Sequence, residues 1–172
     1  MNLALLFVVA ALISFVVVIL VARSQLQFSH ATEIQPVDVE AFRNLADPRE
    51  SEYLHARLPN VEFRRVQRMR LRALAAYVQA VGQNAVVLIR IGQSALTSGD
   101  ADAVEAARKL VDEALLLQRY AGLALVRIYL GLLWPNLGFA AAPLLEGYQR
   151  LGGSAMRLSR LQNPTATVRI SA

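Results

Sequence analysis

The chain has 172 residues, a formal net charge of +5 and 55% hydrophobic residues, which is more than an average soluble domain contains. Cysteine is absent, which excludes disulfides, thiolate nucleophiles and cysteine-ligated metals. With only two histidines, His30 and His55, and no Gly-x-Ser-x-Gly motif, the sequence offers no convincing catalytic triad.

The first element is an uncharged apolar stretch from Leu3 to Ala22. As a helix it would be about 30 Å long, the thickness of a bilayer core, so we predict a transmembrane anchor over residues 1–22. Because the run is longer than a signal-peptide core and no basic residue precedes it, we expect it to be retained rather than cleaved. Arg23 and Arg43 follow the run, so the positive-inside rule favours a cytoplasmic body over an extracytoplasmic one.

Residues 23–37 show no sustained period and are predicted to form a linker, followed by a helical body over 38–163 and a tail over 164–172. The body begins with two helical turns from Asp38 to Leu45. A second short helix is indicated by Asp47 as N-cap, Pro48 at the first position and Glu50 in the first turn, and it should end near Leu58.

Two long amphipathic helices follow, from about Asn60 to Ala95–Leu96 and from Ala101 to Trp134. Gly99 suits a C-cap and Asp100 an N-cap, so the chain should reverse and form an antiparallel hairpin. The expected core of this hairpin is Phe63, Val66, Tyr77, Val81 and Leu88 against Val104, Val111, Leu115, Leu125 and Ile128.

A third helix is predicted from Pro143 to Asn163, with a break or a close helix contact at Gly152-Gly153. No strand pattern and no repeat is visible. The predicted fold is therefore all-α: a single N-terminal transmembrane helix followed by a helical bundle built on a long antiparallel helical hairpin. A second span within 114–145 is disfavoured because Arg119 and Arg127 would each cost about 2.5–3.5 kcal/mol near the bilayer centre.

The search for chemistry gives no cofactor and no metal site. Glu52 and His55 have the Glu-x-x-His spacing of helical metal sites, but such sites need two of these pairs and further carboxylates, so we expect a surface helix instead. Nothing marks the paired carboxylates Asp112-Glu113 as buried. We therefore expect no enzyme activity.

A run of arginines opens the first long helix, and we take Arg64, Arg65, Arg68 and Arg72 as a candidate electrostatic interaction face. Cations are unfavourable in the first turns of a helix, and like charges four residues apart repel. The acidic helix with Glu50 and Glu52, anionic lipid headgroups or an acidic protein partner could offset this cost. Nucleic acid is not expected, since no aromatic stacking platform accompanies the arginines.

These features indicate a membrane-anchored helical interaction or scaffold protein, or an accessory subunit of a membrane complex, attached to the bilayer through Leu3–Ala22. The alternative is a helical ligand-binding sensor or enzyme with an apolar pocket between the long helices. A closed apolar pocket with a convergent polar group would favour the alternative, whereas a continuous exposed apolar stripe would favour a partner. The sequence leaves the oligomeric state open.

Overall fold

The computed structural model describes residues 33–133 and 142–162, together with Phe7, Phe15 and Ile19. These three residues of the predicted anchor are helical and exposed. The rest of the anchor, most of the linker and the tail lie outside the described residues, and so do Trp134 to Ala141. The anchor therefore stays a prediction.

Five helices make up residues 33–133 and 142–162, and these ranges contain no strand, which confirms the all-α class. In chain order they are α1 Val39–Leu45, α2 Pro48–Arg57, α3 Asn60–Ala95, α4 Ala101–Leu133 and α5 Ala142–Gln162.

Aspartate side chains begin three of these helices. Asp38 accepts the N–H groups of Glu40 and Ala41, each at 3.0 Å, and Asp47 accepts that of Arg49 at 2.9 Å. Asp100 accepts the N–H of Asp102 at 3.1 Å. These bonds satisfy amides that have no partner within a helix, and they confirm the predicted N-caps Asp47 and Asp100; the capping role of Asp38 was not predicted.

The predicted glycine cap of α3 is wrong. Gly99 has no left-handed backbone conformation, and α3 instead ends at Ala95. Its C-cap is Leu96, whose N–H donates to the carbonyls of Gly92 and Gln93. The last turn tightens because one amide is shared between two carbonyls, which removes the need for a glycine at this end.

The long helices α3 and α4 pack along each other in opposite directions, with the start of α4 beside the end of α3. Gly92 of α3 lies against Ala107 and Val111, whereas Gln79 donates to the hydroxyl of Tyr129 at 3.3 Å. Alanines and larger apolar side chains are interspersed on the buried side of α4, namely Ala103, Ala107, Leu110, Ala114, Leu117, Ala121, Leu125 and Ile128. Their three-and-four spacing gives a continuous apolar seam, and the alanines let the two backbones approach closely.

The remaining helices cover the sides of this pair. α5 packs on α4, where the Ser154 hydroxyl donates to Glu113 at 2.5 Å. α1 rests on α3 and α5, and its fully buried Phe42 stacks on Tyr77 of α3 with ring centroids 5.8 Å apart. The core therefore runs along α4 and extends to α1 at one side.

Nine of the ten side chains predicted for the hairpin core are buried or half-buried, and Leu115 is the exception. Leu115 is 40% exposed because the buried seam passes through its neighbours Ala114 and Leu117. The break or close contact expected at Gly152-Gly153 is also wrong. α5 continues through both glycines, and a Cβ atom at either would have nothing within 4 Å.

Within the described ranges, α3 and residues Ala101–Leu132 of α4 are long and apolar enough to cross a membrane. In the most apolar window of each helix, 56% of the residues of α3 and 44% of those of α4 are buried inside the body. Length and composition are thus compatible with a membrane location.

Candidate interaction surfaces

The four arginines predicted as an interaction face lie together on the exposed side of the first turns of α3. We call Arg64, Arg65, Arg68 and Arg72 the basic patch. All four are exposed, and none makes a hydrogen bond or an ion pair with any residue that the structure describes. Val61 and Met69 are exposed on the same stretch, at 81% and 56%. The patch therefore combines positive charge with apolar surface.

Arg70 belongs to the same run but points inward. Its Nη2 lies 2.8 Å from Glu50 Oε2 and donates to the Leu45 carbonyl at 3.2 Å. This single side chain, 11% exposed, thereby stabilises the last turn of α1 and the first turn of α2. The acidic helix thus pairs with Arg70, and nothing in the described residues neutralises the basic patch.

A second surface lies at the middle of α4. Leu115, Leu116, Tyr120 and Leu123, which we call the apolar stripe, are 40%, 50%, 43% and 58% exposed. Arg119 and Arg127 are exposed on the same side, since positions 116, 119, 120, 123 and 127 share one face of a helix. Residues 114–133 contain no aspartate or glutamate. The stripe is therefore an apolar surface, and the charged side chains beside it, Arg119 and Arg127, are all positive.

The two surfaces lie on different helices and at different levels of the bundle. Gly92 lies against Ala107 and Val111, which places Gly92 level with about residue 109 of α4 and Leu123 level with about residue 78 of α3. Arg68 lies ten residues before residue 78, so the axial distance between Arg68 and Leu123 is roughly 15 Å at 1.5 Å per residue.

A buried amide fixes the segment that precedes the bundle. Asn84 of α3 is 1% exposed; its Oδ1 accepts the Gln35 N–H at 2.7 Å, and its Nδ2 donates to the Gln35 carbonyl at 2.8 Å. Nδ2 also lies 3.2 Å from the hydroxyl of Tyr148 on α5. Asn84 therefore joins the end of the predicted linker, α3 and α5, so residue 35 is held to the body.

The described clefts lie at the surface rather than between α3 and α4. One, of about 430 Å³, is bordered by the corner between α1 and α2 and by Leu145, Glu146 and Gln149 of α5. Another, of about 390 Å³, lies on α5 beside Gly153, Met156 and Arg160. Among the described residues no group of three or more His, Asp or Glu side chains could hold a metal, and His55 packs edge-on against Phe63.

Two of these features, the hydrogen bonds of Asn84 and the apolar stripe, were not predicted from the sequence. Asn84 is the single amide within the apolar run 84–89, and a polar residue in such a run is a signal for a buried hydrogen bond. The apolar stripe was missed because α4 carries apolar residues on nearly every side after Ala114, so periodicity does not separate its buried side from its exposed side.

No protein-family model, no curated protein and no solved structure matches the chain.

Proposed function

We propose that the chain is a membrane-anchored helical interaction protein, serving as a scaffold or as an accessory subunit of a membrane complex. In this proposal Leu3–Ala22 spans the bilayer once, and the body is a bundle built on the antiparallel hairpin of α3 and α4. The body lies on the cytoplasmic side, as Arg23 and Arg43 favour. It presents the basic patch to an acidic surface, either anionic headgroups or an acidic protein.

The observation that carries the proposal is the lack of neutralising partners for the basic patch among the described residues. Arg64, Arg68 and Arg72 follow one another at four-residue spacing, where like charges on a helix repel by a few tenths of a kcal/mol per pair. An acidic binding partner removes this cost. Arginine is suited to that contact because its planar guanidinium can donate two parallel hydrogen bonds to carboxylate or phosphate.

The exposed apolar stripe is a second support. A continuous apolar surface on a helix is typical of a docking face, whereas a small-molecule site is typically an enclosed pocket. The alternative, a sensor or enzyme with a pocket between the long helices, stays a prediction because the clefts described above lie elsewhere.

The test compares two triple variants of the full-length protein inserted into phosphatidylcholine vesicles. Arg64, Arg68 and Arg72 are replaced with Gln in one, and the exposed Arg49, Arg157 and Arg160 are replaced with Gln in the other, which carries the same net charge. Binding of a fluorescent polyglutamate peptide and clustering with phosphatidylglycerol vesicles are measured between 50 mM and 500 mM salt.

We expect the patch variant to lose most of the salt-sensitive association with one of the two acidic probes, while the control variant keeps it. The probe that responds identifies whether protein or lipid is recognised. Salt should weaken the wild-type association, because the screening length falls below 10 Å above 0.1 M. Equal behaviour of the two variants with both probes would contradict a role for the basic patch.

A further inference from the structure

A surface that the basic patch does not explain is the apolar stripe of α4, formed by Leu115, Leu116, Tyr120 and Leu123. We propose that this stripe lies on the surface of an anionic bilayer, with its side chains at the boundary between headgroups and acyl chains. This inference rests on the proposed function, since it takes the chain to be anchored.

The chemistry of the stripe fits that boundary. Three leucines supply apolar surface, and Tyr120 presents an apolar ring with a polar tip, which is the type of side chain enriched at this depth. Arg119 and Arg127 flank these residues and have no ion pair among the described residues. Their stems can lie along the apolar layer while their guanidinium groups reach phosphate oxygens.

The positive charge on this surface favours an anionic membrane over a second copy of the chain as its partner. Because residues 114–133 contain no acidic side chain, the whole exposed side of this segment is attracted to negative charge. A second copy of the same stripe would place arginines against arginines unless the two copies were offset, which disfavours self-association. An anionic headgroup layer supplies negative charge beside an apolar layer, which matches both parts of the surface.

The path of the chain leaves the stripe within reach of a membrane held by the anchor. Gln35 is held by Asn84, which lies eight residues before Gly92 and is therefore level with about residue 117 of α4, within the span of the stripe. Gln35 lies thirteen residues after Ala22, and this length of chain spans at most about 45 Å even when fully extended. The end of the predicted anchor is thus always within that distance of Gln35, which is close to the stripe along the bundle axis.

The stripe lies on the membrane surface and does not cross it. The opposite side of α4 is buried against α3 through Ala121, Leu125 and Ile128, so lipid can reach only one face. Burying Arg119 and Arg127 at the bilayer centre would cost about 2.5–3.5 kcal/mol each. A helix that places one apolar face about 5–10 Å into the interface avoids this cost.

The experiment uses the absence of cysteine in the chain, which allows single labels without other substitutions. Leu116→Cys and Leu123→Cys carry a nitroxide on the stripe, and Met156→Cys, on the exposed side of α5, is the control. All three positions are exposed, so the label should not disturb the fold. Each full-length variant is inserted into vesicles containing 30% phosphatidylglycerol, and relaxation of the nitroxide by oxygen and by a water-soluble nickel complex is compared.

We expect the oxygen-to-nickel ratio to be several-fold higher at residues 116 and 123 than at residue 156. Nickel accessibility at 116 and 123 equal to that at 156 would overturn the inference. Immobilised labels with spin–spin broadening would do so too, because a second copy would then cover the stripe. Carbonate extraction of the same vesicles separates the two proposals: loss of the protein removes the proposed function and the inference together, whereas a retained protein with water-exposed labels removes the inference alone.

Discussion

At the scale of single residues, Asn84 does most to define how the N-terminal segment meets the body. Its amide matches the backbone N–H and C=O of Gln35 at once, as a neighbouring peptide group would, and shares a third hydrogen bond with Tyr148. A buried amide with all these partners stabilises one arrangement of three segments, because any other arrangement leaves polar groups without hydrogen bonds.

Replacing Asn84 with Ala should therefore lower the free energy of unfolding by about 2–3 kcal/mol, since it removes three hydrogen bonds and leaves a cavity. Tyr148→Phe removes only one of these bonds and should cost about 1 kcal/mol. Urea unfolding of both variants measures the difference. Hydrogen exchange gives a local check, since the Gln35 amide should lose protection in Asn84→Ala and keep it in Tyr148→Phe. Unchanged protection at Gln35 in both would show that the amide pair does not hold the segment.

At the scale of the helices, the sequence predicted much of the architecture. The aspartate caps, Pro48 and the 3.6-residue period define where α1, α2 and α4 begin, because those signals act within a few residues. The predictions that were wrong concern residues whose environment depends on contacts between helices. Leu115 and Gly152-Gly153 satisfy local rules for a core residue and a helix break, but their real surroundings are set by how α4 and α5 pack.

Close packing of α3 and α4 depends on Gly92. A Cβ atom at this position would lie 2.6 Å from Val111 Cγ2 and 3.3 Å from the Ala107 carbonyl oxygen. Valine is stiff at its first side-chain torsion and cannot move aside without strain. The helices would have to separate locally, which loosens the contacts on both sides of the glycine.

Gly92→Ala should consequently reduce the free energy of unfolding by about 1–2 kcal/mol, even though alanine is the better helix former. Gly153→Ala is the matched control, because the same change there meets open space and should increase stability by about 1 kcal/mol through helix propensity. Thermal or urea unfolding of the two variants should thus give shifts of opposite sign. Stabilisation by both would mean that α3 and α4 are not tightly packed at Gly92.

At the scale of the whole molecule, the basic patch could be predicted from the sequence only in part. Its residues were identifiable from their number and spacing, but their pairing was not, because Arg70 and its neighbours differ only in the direction they point from α3. The stripe and the attachment of Gln35 depend on contacts between distant segments. The basic patch and the apolar stripe serve one common function only if the body is held at a membrane.

The measurement that tests this central claim most directly is extraction of membranes containing the full-length protein with alkaline carbonate, which removes peripheral proteins and leaves spanning ones. We predict that the wild-type chain stays in the membrane pellet. A variant with Leu12→Arg and Val16→Arg should move to the supernatant, because each arginine near the bilayer centre costs about 2.5–3.5 kcal/mol. Release of the wild-type chain, or retention of both proteins alike, would contradict an anchor formed by Leu3–Ala22.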